Sequence, residues 1–211
     1  MKLPLAALLF VIAASAFAQT PEERLFQAIS DGKQLVAEGI VVRGGVKLDA
    51  RNADNETPLH VAIEKGFRPL IELLLKAGAP VTARSKNGET PLHYAALHDD
   101  PWYVELLLFA KADAKARNDD GESVLQWAVM TGNPATTQHL LQRGADPKAV
   151  DLKGNNVLHG CADGGHLEMT RAFVGMGVDP RLRNRAGKRP LDIARERGYP
   201  ELVKYLEKFQ N

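Results

Sequence analysis

The chain has 211 residues, of which 45% are hydrophobic and 25% charged, with 27 Lys+Arg against 26 Asp+Glu. A formal charge of +1 excludes a binder of nucleic acid or anionic membrane that works by bulk charge, and the composition excludes a disordered or fibrous chain. One cysteine closes no internal disulfide, so stability must come from packing, and with aromatics at 6% the expected core is Leu, Val and Ala.

Met1 and Lys2 give the chain a positive start, and Leu3 to Ala14 is an apolar run. That run has the length of a signal-peptide core and falls short of the roughly 18 apolar residues that a bilayer span needs. Ala16, Phe17 and Ala18 place small side chains at A-x-A spacing, which predicts a leader over residues 1–18 and cleavage between Ala18 and Gln19. No Cys follows the cleavage site to carry a lipid, so a freely soluble periplasmic or secreted product is expected. Loss of Lys2, the leader's only charged residue, leaves 26 charges of each sign.

The mature chain, 19–211, repeats itself every 33 residues. Residues 56–88 read ETPLHVAIEKGFRPLIELLLKAGAPVTARSKNG, and 89–121 read ETPLHYAALHDDPWYVELLLFAKADAKARNDDG. Weaker copies occupy 122–154 and 155–187; a shortened one fills 188–211, and 22–55 matches with one extra residue between its helices. Such a period is the mark of a stack of like modules, here four full units and two caps. Within a unit, Thr57 can cap a first helix whose opening turn Pro58 presets. Leu59, Ala62 and Ile63 recur at helical spacing, Leu70, Ile71, Leu73, Leu74 and Leu75 give a more apolar second helix, and Gly78 ends it. A short extended stretch and Asn87-Gly88 then supply a turn.

These units resemble the ankyrin repeat over essentially the whole mature chain. Thr57-Pro58-Leu59-His60 and Thr90-Pro91-Leu92-His93 carry that family's opening motif, and Gly78-Ala79 and Gly144-Ala145-Asp146 its loop after the second helix. The resemblance implies an all-α solenoid of helix-turn-helix units with short β-hairpin or loop fingers, in which stacking buries what one unit cannot bury alone.

Departures from the repeat carry their own expectations. Asp99 stands where the other units have Gly66, Gly132, Gly165 and Gly198, so that corner is rebuilt: Asp100 caps the second helix, and Trp102 and Tyr103 face outward. Lys111 replaces the glycine found at Gly78. Position six reads Val61, Tyr94, Trp127, Gly160, Ile193, which predicts that Trp127 fills the space that Gly160 leaves. The caps are more polar, as Glu201, Lys204, Glu207 and Lys208 show.

Neither catalysis nor a metal or cofactor is expected. His60, His93 and His159 share the fifth position, where the resemblance implies a hydrogen bond to Thr or to the adjacent finger. Cys161 sits in a column otherwise filled by Ala62, Ala95, Ala128 and Ala194, a small buried slot that makes an inert thiol. No zinc spacing, phosphate-binding glycine loop, G-x-S-x-G or H-E-x-x-H occurs.

Function is expected on the ladder of exposed positions. The resemblance implies that finger tips and the exposed turns of the first helices line one concave face. Position 29 gives Arg51, Arg84, Arg117, Val150 and Arg183, and position 1 gives Glu56, Glu89, Glu122, Asn155 and Lys188, so the early fingers are expected to pair Arg with Glu. Leu97, Met130, Val150 and Leu152 then bring apolar side chains to that face. With Arg117, Asp119, Asp120 and Lys153 as a charged rim they have the anatomy of a protein-binding surface. Arg181, Arg183, Arg185, Lys188 and Arg189 add a basic cluster suited to an acidic partner surface. The expected partner is another protein, with no nucleic acid, no stable membrane insertion and a monomeric binder. The resemblance extends to small exported bacterial proteins that protect periplasmic enzymes such as catalase, and to others that inhibit hydrolases or toxins. Structural tethering in the cell envelope is the alternative.

Overall fold

A helix of six to ten residues is marginal alone in water, so each helix here must gain its stability from packing. The computed structural model describes residues 19–210. The leader expected over 1–18 and its cleavage site lie outside or at the edge of them. Twelve helices and no strand occur among the described residues, and they divide into two compact units, up to Pro80 and from Val81 onward.

The first unit contains α1 (Pro21–Ser30), α2 (Gln34–Arg43), α3 (Pro58–Glu64) and α4 (Arg68–Lys76). Thr20 opens α1 with a reciprocal cap: the Glu23 backbone N–H donates to Thr20 Oγ1 at 3.1 Å, and the Thr20 N–H donates to the Glu23 carboxylate at 2.9 Å. Helix α1 packs on α3 and α2 on α4, burying Leu25, Ile29, Leu59, Ile63, Leu70 and Leu74. The expectation of a polar cap fails here, because Leu35, Val36 and Val42 on α2 are exposed.

The second unit continues with α5 (Pro91–Ala96), α6 (Trp102–Phe109), α7 (Val124–Thr131), α8 (Pro134–Gln142), α9 (Val157–Gly164), α10 (Leu167–Gly175), α11 (Pro190–Arg197) and α12 (Pro200–Glu207). First helices α5, α7, α9 and α11 form one row, and the second helices pack behind, α6 on α8 and α10 on α12. Leu92, Leu107, Leu125, Leu140, Leu158, Phe173, Leu191 and Leu202 fill the interior, with Ala95, Ala128, Cys161 and Ala194 as small spacers between first helices.

The helix starts follow the motif. Thr90 presents its backbone N–H to His93 Nδ1 at 3.1 Å, with its hydroxyl 3.0 Å from the same nitrogen, and Thr57 and His60 repeat the pattern at 3.1 and 2.8 Å. His93 and His159 then reach the backbone carbonyls of Glu122 and Lys188, so each histidine pins its helix to the finger that follows. At the rebuilt corner Asp100 accepts the Trp102 N–H at 2.9 Å, but the helix begins at Trp102 and Pro101, not Asp100, stands in the cap position. Tyr103, however, is buried and stacks on His98 at 4.0 Å, which corrects its expected outward placement; Trp102 is half-buried beside it. Lys111 takes a left-handed backbone, φ +68°, in place of glycine.

Candidate protein-binding face

The fingers of the second unit are turns rather than hairpins, with one isolated antiparallel bridge between Arg117 and Ser123. Each closes through the same backbone bond: Ser85 to Glu89, Asn118 to Glu122, Asp151 to Asn155 and Asn184 to Lys188, at 2.8 to 3.0 Å. The first residue of each pair also folds its side chain over the turn. Asp151 Oδ1 accepts the N–H groups of Lys153 and Asn155, and Asn184 Oδ1 those of Ala186 and Lys188. This polar column is visible in the sequence as Ser85, Asn118, Asp151 and Asn184, 33 residues apart, a signal independent of the helix motif.

Successive fingers are joined to one another. Asp119 donates its backbone N–H to Asn87, Leu152 to Asp120 and Arg185 to Lys153, at 2.8 to 2.9 Å. Arg84 pairs with Asp119 at 2.8 Å, and Lys153 with Asp120 at 3.2 Å and Glu122 at 3.4 Å. The expected pairing of Arg with Glu inside one finger does not describe Arg117. Its guanidinium donates to the carbonyls of Gly121 and Val150 at 2.9 and 2.8 Å, because a planar group with five donors satisfies backbone oxygens on two adjacent fingers at once.

Arg117, Asp119, Asp120, Val150, Leu152, Lys153 and Arg185 are thus brought together across adjoining fingers. Leu97 and Met130 occupy equivalent ends of α5 and α7 on the row of first helices. All four apolar side chains are solvated, with Leu97 46%, Met130 65%, Val150 42% and Leu152 54% exposed. The basic cluster is largely neutralised. Arg181 meets Asp179, Arg183 lies 3.9 Å from Asp192 and donates to Gly187, Lys188 pairs with Glu196, and Arg189 with Asp192. Arg185 is left as the member whose side chain meets no carboxylate among the described residues.

Position six holds a second correction. Trp127 does not turn toward Gly160. Its indole N–H donates to Glu122 at 3.0 Å, and its ring lies against His93 edge-on at 5.3 Å and against Tyr94 at 6.5 Å, both on the preceding helix α5. Val129 is the neighbour of Gly160, 3.4 Å from where a Cβ would stand. The unfilled space is a pocket of about 240 Å³, open to solvent and lined among others by Trp127, Met130, Gly160, Asp163 and Ile193.

The chemistry-bearing residues are occupied structurally. Cys161 is fully buried, and burial pushes its thiol up to about 12. His159 is held below its ordinary value by burial, against the opposing pull of the Lys188 carbonyl and Asp151. Among the described residues no cluster of His, Cys, Asp or Glu is placed to hold a metal ion, and no helix is long and apolar enough to cross a membrane.

Paired short helices, repeated with projecting fingers between the pairs, define the class of helical repeat proteins. A family model of ankyrin repeats (3 copies) matches residues 25–120 and 125–210, and the chain belongs to the ankyrin-repeat family. Among solved structures it is similar to the ankyrin repeat domain of Bcl-3, described as a unique member of the IkappaB protein family. That chain is 32% identical, with 92% of this chain and 87% of that one covered and a TM-score of 0.71. No curated protein sequence matches the chain. Ankyrin repeats are protein-binding modules, and the fold is typically a non-enzymatic scaffold.

Proposed function

We propose that this protein is exported, loses residues 1–18, and binds one envelope or periplasmic protein through the finger-side face of its second unit, as an inhibitor, immunity factor or protective scaffold. The observation that carries this reading is the exposure of Leu97, Met130, Val150 and Leu152 beside charged groups that are already paired. Isolated exposed apolar residues are ordinary, but a pair at the equivalent ends of α5 and α7 and a pair on one finger, the latter beside Asp120 and Lys153, match the apolar centre and polar rim of an interface. The finger-to-finger bonds hold that face in shape before any partner arrives, so little ordering entropy opposes association.

The test is recovery of one dominant envelope protein on immobilised chain 19–211, repeated with Leu97→Glu combined with Leu152→Glu. Loss of capture with an unchanged unfolding midpoint supports the face, and undiminished capture refutes it. Protein recovered from the envelope should begin at Gln19. Co-sedimentation of the purified chain with peptidoglycan would turn the reading to structural tethering.

A further inference from the structure

The pocket beside Gly160 is not something the backbone requires. Gly160 lies inside α9 with ordinary helical backbone, and a Cβ there would make only normal contact with Val129. Glycine inside a helix is less stable than alanine, so the gap costs the fold without relieving any clash. The equivalent positions on α7 and α11 carry Trp127 and Ile193, so the opening stands between two large side chains.

Its lining is of two kinds. Trp127, Met130, Val157 and Ile193 supply apolar walls, while Glu122, Asp151 and Asp163 supply carboxylates, and no Lys or Arg is among the lining residues. Two of those carboxylates have cations outside the pocket. Lys153 reaches Glu122 at 3.4 Å, and Arg197 holds one oxygen of Asp163 at 2.6 Å. Asp151 is buried, and its carboxylate accepts from neutral donors, the Lys153 and Asn155 backbone N–H groups and the Asn155 amide. His159 uses Nδ1 toward Asn156 and Nε2 toward the Lys188 carbonyl and adds no cation in neutral solution.

We infer that this pocket takes a basic side chain, lysine or arginine, of a partner polypeptide, its methylene stem against Trp127 and Ile193 and its charged head toward Asp151 and the second oxygen of Asp163. This deepens the protein-binding reading above and rests on it for the source of the side chain. A lysine or arginine is apolar along its stem and charged at its tip, and so can use both the apolar walls and the carboxylates of this lining. A purely apolar side chain would cover the carboxylates without compensating them, and an acidic one would be repelled.

The test uses small probes and needs no partner. N-acetyl-arginine amide and N-acetyl-lysine amide are titrated into chain 19–211 while the Trp127 indole N–H is followed by NMR, its signal assigned with Trp127→Phe. N-acetyl-norleucine amide and N-acetyl-glutamate amide serve as the apolar and acidic arms. The expected result is a saturable shift with the basic probes that weakens as salt is raised. Gly160→Ile refills position six and should fold at least as well, with affinity for the basic probes falling by about tenfold. An equal response to norleucine makes the pocket an apolar anchor and overturns the inference. So does the absence of any shift up to the solubility of the basic probes, or an unchanged affinity in Gly160→Ile. Because Leu97 and Leu152 do not line the pocket, failure of this test leaves the face to be judged by its own variants, and failure of the face leaves the probe result standing.

Discussion

The Trp127 indole N–H donates to the Glu122 carboxylate at 3.0 Å and so ties α7 to the finger that precedes it. Burial disfavours the charged carboxylate, but the bonds from Asn118 and Trp127 and the nearby Lys153 outweigh it and hold Glu122 below its ordinary range. Trp127→Phe keeps an aromatic ring, smaller than the indole, and removes the donor, with an expected loss of about 1 kcal/mol. The Glu122 carboxyl should rise at the same time, measurable by NMR titration. Trp127→Ala should cost about 2 to 3 kcal/mol in denaturant unfolding, at or below the low end of the range for buried aromatic truncation because the ring is only half-buried. No loss in Trp127→Phe would show that water replaces the Glu122 bond at no cost.

Two glycines five residues apart should respond oppositely to the same substitution. Gly160 has helical backbone and room, so Gly160→Ala should stabilise by up to about 1 kcal/mol through helix propensity. Gly165 has φ +74° and would place a Cβ 2.7 Å from the Tyr199 ring, so Gly165→Ala should destabilise by about 2 kcal/mol or more. Thermal unfolding of the two variants side by side decides the matter, and shifts of equal sign would contradict it.

Cys161 should report unfolding. With its thiol near 12, the thiolate is about one part in 100,000 at pH 7, and the side chain has no exposed surface. Alkylation by iodoacetamide should therefore proceed only through opening of the α9 region, and its rate should rise steeply with denaturant. Labelling as fast as that of a free cysteine under native conditions would place the thiol in solvent.

Acid should loosen the last helix pair. Hydrogen bonding from the Arg189 side chain, with help from its backbone N–H and from Arg183, lowers Asp192 from 3.8 to about 2. A depressed carboxyl contributes stability that is complete above its unfolded value, so the contribution is whole above about pH 4 and disappears as the pH falls toward 2. Asp192→Asn should weaken amide protection in α11 and α12 at neutral pH, and the gap to the native protein should close across that acid window. A gap that stays constant down to pH 2 would assign the effect to packing.

The period, the helix pairs and the Thr-Pro starts were legible because they recur in register, and packing between like modules leaves little else for Leu92, Leu125 and Leu158 to do. Exposure of Leu97, Met130, Val150 and Leu152 was likewise legible from position alone. Directions of side chains were not. Tyr103 turned inward because His98 offered a flat partner, and Trp127 turned back toward α5 because its N–H needed the Glu122 acceptor. A comparison of sizes down one column treats Trp127 and Gly160 as complementary and misses that bond, so it also misses the pocket. The Arg column misled for a related reason: a guanidinium has more donors than one carboxylate can use, and Arg117 found carbonyls.

Each joint between fingers contains one main-chain donor, at Asp119, Leu152 or Arg185, meeting an acceptor 32 residues earlier. That part of each joint is made of main chain and is indifferent to which residues stand on either side, whereas the ion pairs beside it, Arg84 with Asp119 and Lys153 with Asp120, are not. Selection can then rewrite the tips, or duplicate a whole module, without renegotiating that main-chain bond to its neighbour, and to that extent recognition evolves here independently of architecture.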